Sequence, residues 1–125
     1  MSQSNEQAMI APVRDVLLKA CPDVLAIYIF GSHVKGTSRP NSDLDVGILL
    51  PPGHTIPDKL ALLADLAERA GREVDIVELA SAGDVIRAEV LAEGQTIYER
   101  DPDQVLAWEA AAMSRYAYYR EEVAD

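Results

Sequence analysis

The sequence predicts a small α+β (α/β) protein, a mixed sheet of about four strands with helices packed on it. Three observations lead there. Segments of helical periodicity alternate with short β-branched runs along all 125 residues. The link between the first two strands is too short for a helical crossover, so the sheet cannot be wholly parallel. The composition, 49% hydrophobic and 26% charged, is that of a chain able to bury a core.

Each element has its own signal. Over 6–21, Met9, Ile10, Val13, Val16, Leu17 and Ala20 recur at helical spacing, and Pro22 stops the helix. Residues 1–5 read as a frayed tail. The run 24–30 is β-branched and aromatic, a buried strand. A turn-rich link containing Gly31, Gly36, Pro40 and Asn41 leads to a second strand over 44–50. A helix over 58–70 follows, with Leu60, Leu63, Leu66 and Ala67 on one face and Gly71 as its C-cap. A third strand over 74–79 precedes a helix over 81–92, with Val85, Ile86, Val90 and Leu91 inward and Gly94 closing it. Residues 95–99 form a fourth strand. Asp101 and Pro102 open the last helix, over about 102–123, as N-cap and first residue. The length fits a single domain spanning 1–125.

Composition also bounds function. The formal charge is −10, and residues 51–125 carry −9 of it. That argues against direct nucleic-acid binding, which needs Lys and Arg for the phosphates. Lys35 and Arg39 are a locally basic place on an acidic chain. No apolar run approaches the roughly 20 residues of a membrane span. The lone Cys21 cannot form an internal disulfide, so a reducing cytoplasm is expected.

The chemistry concentrates in two stretches. In Gly31-Ser32-His33-Val34-Lys35-Gly36, Gly31 permits a sharp turn after a buried strand, and Ser32 caps a short helical turn that Gly36 ends. Free N–H groups at such a start bind an anion, usually a phosphate, and Lys35 adds positive charge nearby. In Ser42-Asp43-Leu44-Asp45, the two aspartates sit two apart at the start of a strand and project to one side. Gly47 opens space beside them. Two carboxylates so close repel, and a hard divalent cation offsets that repulsion. Asp75 is a third acid, in the middle of a strand and bracketed by Val74, Ile76 and Val77, where aspartate is a poor fit. Three carboxylates around a phosphate-binding turn describe a two-magnesium phosphoryl-transfer site, with Asp75 as base or as ligand of the catalytic metal.

Gly31-Ser32, Gly36, Ser42-Asp43-Leu44-Asp45 and Asp75 together resemble the signature of the DNA polymerase β-like nucleotidyltransferases, and the chain length resembles the minimal members of that superfamily. The resemblance implies the nucleotidyltransferase fold. It implies that Gly31 and Ser32, with Lys35, Gly36 and Ser42, bind the nucleotide, and that Asp43, Asp45 and Asp75 are catalytic and hold Mg2+. Lys35 stands where these proteins often have Arg, keeping the charge and losing the bidentate fork. Minimal nucleotidyltransferases are paired with HEPN proteins, helical RNase toxins. The resemblance therefore implies an antitoxin in a hetero-oligomer that transfers AMP from ATP to a toxin tyrosine. Two alternatives stand beside it: an antitoxin acting by occlusion alone, and a small-molecule nucleotidyltransferase of the antibiotic-modifying kind.

The last helix carries four of the seven aromatics. Val105, Trp108, Ala112, Tyr116, Tyr119 and Val123 fall on one stripe. The stripe is expected to pack on the domain up to Ala112, while 116–123 could serve as partner surface. His33 and His54 read as solvated loop residues, and the two His and one Cys lack zinc-ligand spacing.

Overall fold

The computed structural model describes residues 2–31 and 43–124, with the side chains of 2–7, 119 and 121–124 left out of the description. The elements run α1 (Ser2–Ala20), β1 (Ala26–Phe30), β2 (Leu44–Leu49), α2 (Lys59–Ala70), β3 (Val74–Glu78), α3 (Asp84–Glu93), β4 (Gln95–Glu99) and α4 (Pro102–Ala124). All eight expected elements form. The expected tail over 1–5 is a correction, because α1 already runs from Ser2. Gly71 and Asp101 cap as expected, while Asp58, expected as the first residue of α2, is its N-cap. Ala61 N–H donates to Asp58 Oδ1 at 3.1 Å, and Gly71 ends α2 in the left-handed conformation. At α4, Asp103 and Gln104 donate their N–H groups to Asp101 Oδ1 at 3.1 and 3.4 Å.

The sheet is mixed, in the order β3-β2-β1-β4. β1 is antiparallel to both β2 and β4, and β2 is parallel to β3. Strand alternation gives its two faces different cores. Ile27, Ile29, Leu44, Val46, Ile48 and Leu50 meet Val13, Leu17, Leu62 and Leu66 from α1 and α2. On the other face Ala26, Tyr28 and Leu49 meet Leu79, Val90 of α3, and Val105 and Trp108 of α4. The result is three layers, with the sheet between two helix pairs.

Three expectations are corrected. Leu60 was expected inward and is 80% exposed, because α2 buries Leu62 and Leu66 instead. Val85 and Ile86 were expected inward and are 50% and 44% exposed, since α3 seats Ala88 and Val90 on the sheet. Both helices are only 10 to 12 residues long. A slip of one residue turns the stripe by about 100°, which a short window does not resolve. Gly47 shares the Asp45 face of β2 but does not open space there as expected. A Cβ there would lie 3.3 Å from Val90 Cγ1 and 3.5 Å from Leu79, so the glycine lets α3 approach the sheet.

One polar contact ties α4 to the middle of the sheet. The Tyr28 hydroxyl, on a side chain only 2% exposed, donates to Glu109 Oε2 at 2.7 Å. Burial, and then the adjacent carboxylates, push the phenol well above its ordinary pKa, so it stays a donor at any physiological pH. Tyr28→Phe is expected to cost about 1–2 kcal/mol, because a bond to a charged acceptor is lost while Glu109 can rehydrate. Urea unfolding measures this, with the slope unchanged from wild type.

Candidate active site

Parallel register, more than sequence spacing, assembles the acids. Asp45 in β2 pairs with Asp75 in β3, so the two side chains leave the sheet on the same face. On its other side Asp45 is paired with Phe30, the last residue of β1. Asp43 precedes β2 and is exposed, Asp75 is exposed, and Asp45 is half-buried between them. Gly31 follows at once on Phe30, with φ +85°. A Cβ at Gly31 would overlap Asp45 Oδ2. The turn therefore needs glycine for two reasons, the left-handed backbone and the carboxylate lying against its Cα.

The acids push on one another. Burial first, then Asp75, Asp43 and Glu89, hold the Asp45 carboxyl above the ordinary aspartate range. Glu89 lies on α3, and sequence reasoning did not single it out. An acid on the polar side of an amphipathic helix carries no motif, and only the packing of α3 over β2 brings it near. The donor set is all oxygen and strongly anionic at one end of the sheet. That is the chemistry of a hard divalent cation site and unlike a zinc site. Among the described residues no three His, Cys, Asp or Glu side chains close around a single point that would hold a metal. The carboxylates fit magnesium by chemistry and register, without forming a finished cage.

The structure thus brings Gly31, Asp43, Asp45 and Asp75 to one sheet end. Ser32, Lys35, Gly36 and Ser42, expected to bind the nucleotide, and His33 lie outside the described residues. His54 lies apart from the acids, 3.5 Å from Asp23 through Nδ1. Cys21 is buried, and burial raises its thiol pKa, as expected of a packed apolar residue.

A helix-covered mixed sheet with carboxylates paired across its parallel strands fits the phosphoryl-transfer chemistry expected of those acids. A model of the family "Polymerase beta, Nucleotidyltransferase" matches residues 15–103, and the chain belongs to that family. It is 30% identical over 122 residues to the protein adenylyltransferase MntA of Shewanella oneidensis MR-1, covering 98% of this chain and 84% of that one. It is similar to a chain in a crystal structure of a toxin–antitoxin with AMP-PNP, at 27% identity, 90% coverage of each chain and a TM-score of 0.80. It is also similar to a chain in the complex of a tri-AMPylated S. oneidensis HEPN toxin with an MNT antitoxin. There the identity is 27%, the coverage 98% and 92%, and the TM-score 0.69.

Proposed function

We propose that this chain is a magnesium-dependent adenylyltransferase that moves AMP from ATP onto a tyrosine hydroxyl of a HEPN-type RNase toxin and so neutralises it. The observation that carries this reading is the pairing of Asp45 with Asp75 beside Gly31, in a chain 30% identical to a protein adenylyltransferase. The acceptor oxygen attacks the α-phosphorus, the bond to the β-phosphate breaks, and pyrophosphate leaves. Asp75 takes the hydroxyl proton, being the exposed acid of the pair. Asp43 and Asp45 would hold the cation, and Gly31 and Ser32, with Lys35, Gly36 and Ser42, would hold the phosphates. Magnesium at Asp43, Asp45 and Asp75 would supply neutralisation of the phosphate charge and acidification of the hydroxyl. No described helix is long and apolar enough to cross a membrane. With its single buried cysteine, the chain is proposed to work in the cytoplasm.

The test is incorporation of label from α-labelled ATP, with magnesium, into the proteins of a lysate of the source cell. It is run beside the Asp43→Asn, Asp45→Asn double variant. Label in one protein band, only with the native carboxylates, is the expected result. Label in small molecules and in no protein would instead favour a small-molecule acceptor. Neutralisation of the toxin by the double variant would favour occlusion.

A further inference from the structure

The topology sends α3 and α4 in the same direction over one face of the sheet, both towards the end that carries the acids. β4 begins at Gln95 opposite Ile29, so α3, which precedes it, ends at the carboxylate end of the sheet. β4 finishes at Glu99 opposite Ala26, and Arg100 N–H donates to Leu25 O at 2.9 Å. α4 therefore starts at the far end and runs back towards the acids. Glu109 reaches Tyr28, halfway along β1. β1 spans about 17 Å and α4 about 34 Å, at the usual rises for strand and helix. From the level of Tyr28 the strand ends within about 7 Å, little more than one helical turn. The residues after Met113 thus extend past the sheet, on the side where Asp43, Asp45 and Asp75 lie.

A groove of about 250 Å³ runs between the two helices along α3 towards that end, lined by Val85, Ala88, Ala92, Met113 and Tyr116, with Glu89 and Glu93. Its floor is apolar, its acids are both on α3, and among the described residues no basic one lines it. Val85, Ile86 and Met113 leave a large part of their apolar surface in water, and Tyr118 on α4 is 65% exposed. Arg87, the one base of α3, is turned to its own helix start, bonded to Ala82 O and 3.9 Å from Asp84. α3 carries the groove's Glu89, Ala92 and Glu93 towards Gln95, opposite Ile29, so the groove leads to the end of the sheet that holds the acids.

We propose that this groove docks the acceptor protein, through a segment that is apolar on one face and carries Lys or Arg beside it. The proposal rests on the adenylyltransferase reading and names the surface that reading requires. A triphosphate is repelled by Glu89, whereas a basic segment is attracted by it. Apolar contact with Val85, Ala92 and Met113 supplies affinity, and Tyr116 is the kind of side chain that anchors interfaces. A segment seated here delivers its neighbouring tyrosine to the end of the sheet where Asp45 and Asp75 are paired.

The experiment titrates this chain with its HEPN-type partner, without nucleotide, by calorimetry, and separately measures AMP transfer. The variants are Val85→Arg, Val85→Glu and Met113→Arg, all at exposed positions that leave the core and the carboxylates intact. Val85→Arg and Met113→Arg are expected to weaken partner binding by at least about tenfold, by placing a cation against a basic segment. Val85→Glu is expected to weaken it much less. Binding of a fluorescent ATP analogue and the circular dichroism spectrum are expected to stay as in wild type. Wild-type affinity in both Arg variants overturns the proposal, and an equal loss with Val85→Glu overturns the basic segment. A wild-type dimer in gel filtration that the Arg variants make monomeric overturns it too, by assigning the groove to a second copy. Binding without transfer in the wild type defeats the adenylyltransferase reading, while the variants still report on the groove.

Discussion

Asp45→Asn is expected to lower AMP transfer by at least about three orders of magnitude while raising the melting temperature of the metal-free protein. The two effects share one cause. Asp45 sits half-buried between Asp75 and Asp43 with Glu89 above it, and these neighbours oppose its ionisation. Without a cation that opposition is a cost carried by the folded state, and the neutral amide removes it. Because the folded-state pKa lies above the unfolded one, the cost is absent below the unfolded value. It grows as pH rises through the interval between the two and is constant above the folded value. The gain in Tm from Asp45→Asn is therefore expected at neutral pH, on the order of a few degrees, and should vanish towards pH 3. Magnesium is expected to reverse the order, by binding and stabilising wild type and not the variant. Melting curves at two pH values, each with and without magnesium, check all of this. A variant that melts below wild type at neutral pH without metal would contradict the electrostatic account.

Gly31→Ala is expected to be among the most damaging single-methyl changes in the chain, costing about 3 kcal/mol or more and abolishing transfer. Two contributions add. A left-handed φ of +85° is unfavourable for alanine, by about 1 kcal/mol or somewhat more. The new methyl would also collide with Asp45 Oδ2, so that carboxylate must turn away from the place it holds against the turn. Gly71 separates the two effects. It has a similar φ of +72° with nothing within 4 Å of its Cβ position. Gly71→Ala is thus expected to cost about 1 kcal/mol and to leave transfer intact. The Gly31→Ala, Asp45→Ala double variant should recover part of the stability lost in Gly31→Ala, a coupling readable by a double-mutant cycle. Equal costs at Gly31 and Gly71 would mean that Asp45 does not lie against the turn.

Most of this protein's plan is legible in its amino-acid order. The element count, the mixed sheet and the capping of α2 by Gly71 and of α4 by Asp101 are local matters, decided within a few residues by periodicity, turn chemistry and capping. The spacing of Asp43 and Asp45 already places both on one side of a strand, and Asp75 betrays itself as an aspartate among β-branched neighbours. Helix orientation was less legible. In α2 and α3 apolar residues occur nearly all round, and tertiary packing chose Leu62 over Leu60 and Ala88 over Val85.

Other features depend on residues far apart in the chain, and no local pattern encodes them. The parallel register that sets Asp45 against Asp75 arises only when α2 returns β3 to the edge of β2. The nearness of Glu89 to Asp45, the Tyr28–Glu109 bond and the groove between α3 and α4 follow from how two helices cross one sheet face. The residues and their chemistry were set by the sequence, because charge and backbone freedom are properties of single residues. Which of them meet was settled by the tertiary structure, because contact is a property of the packed whole.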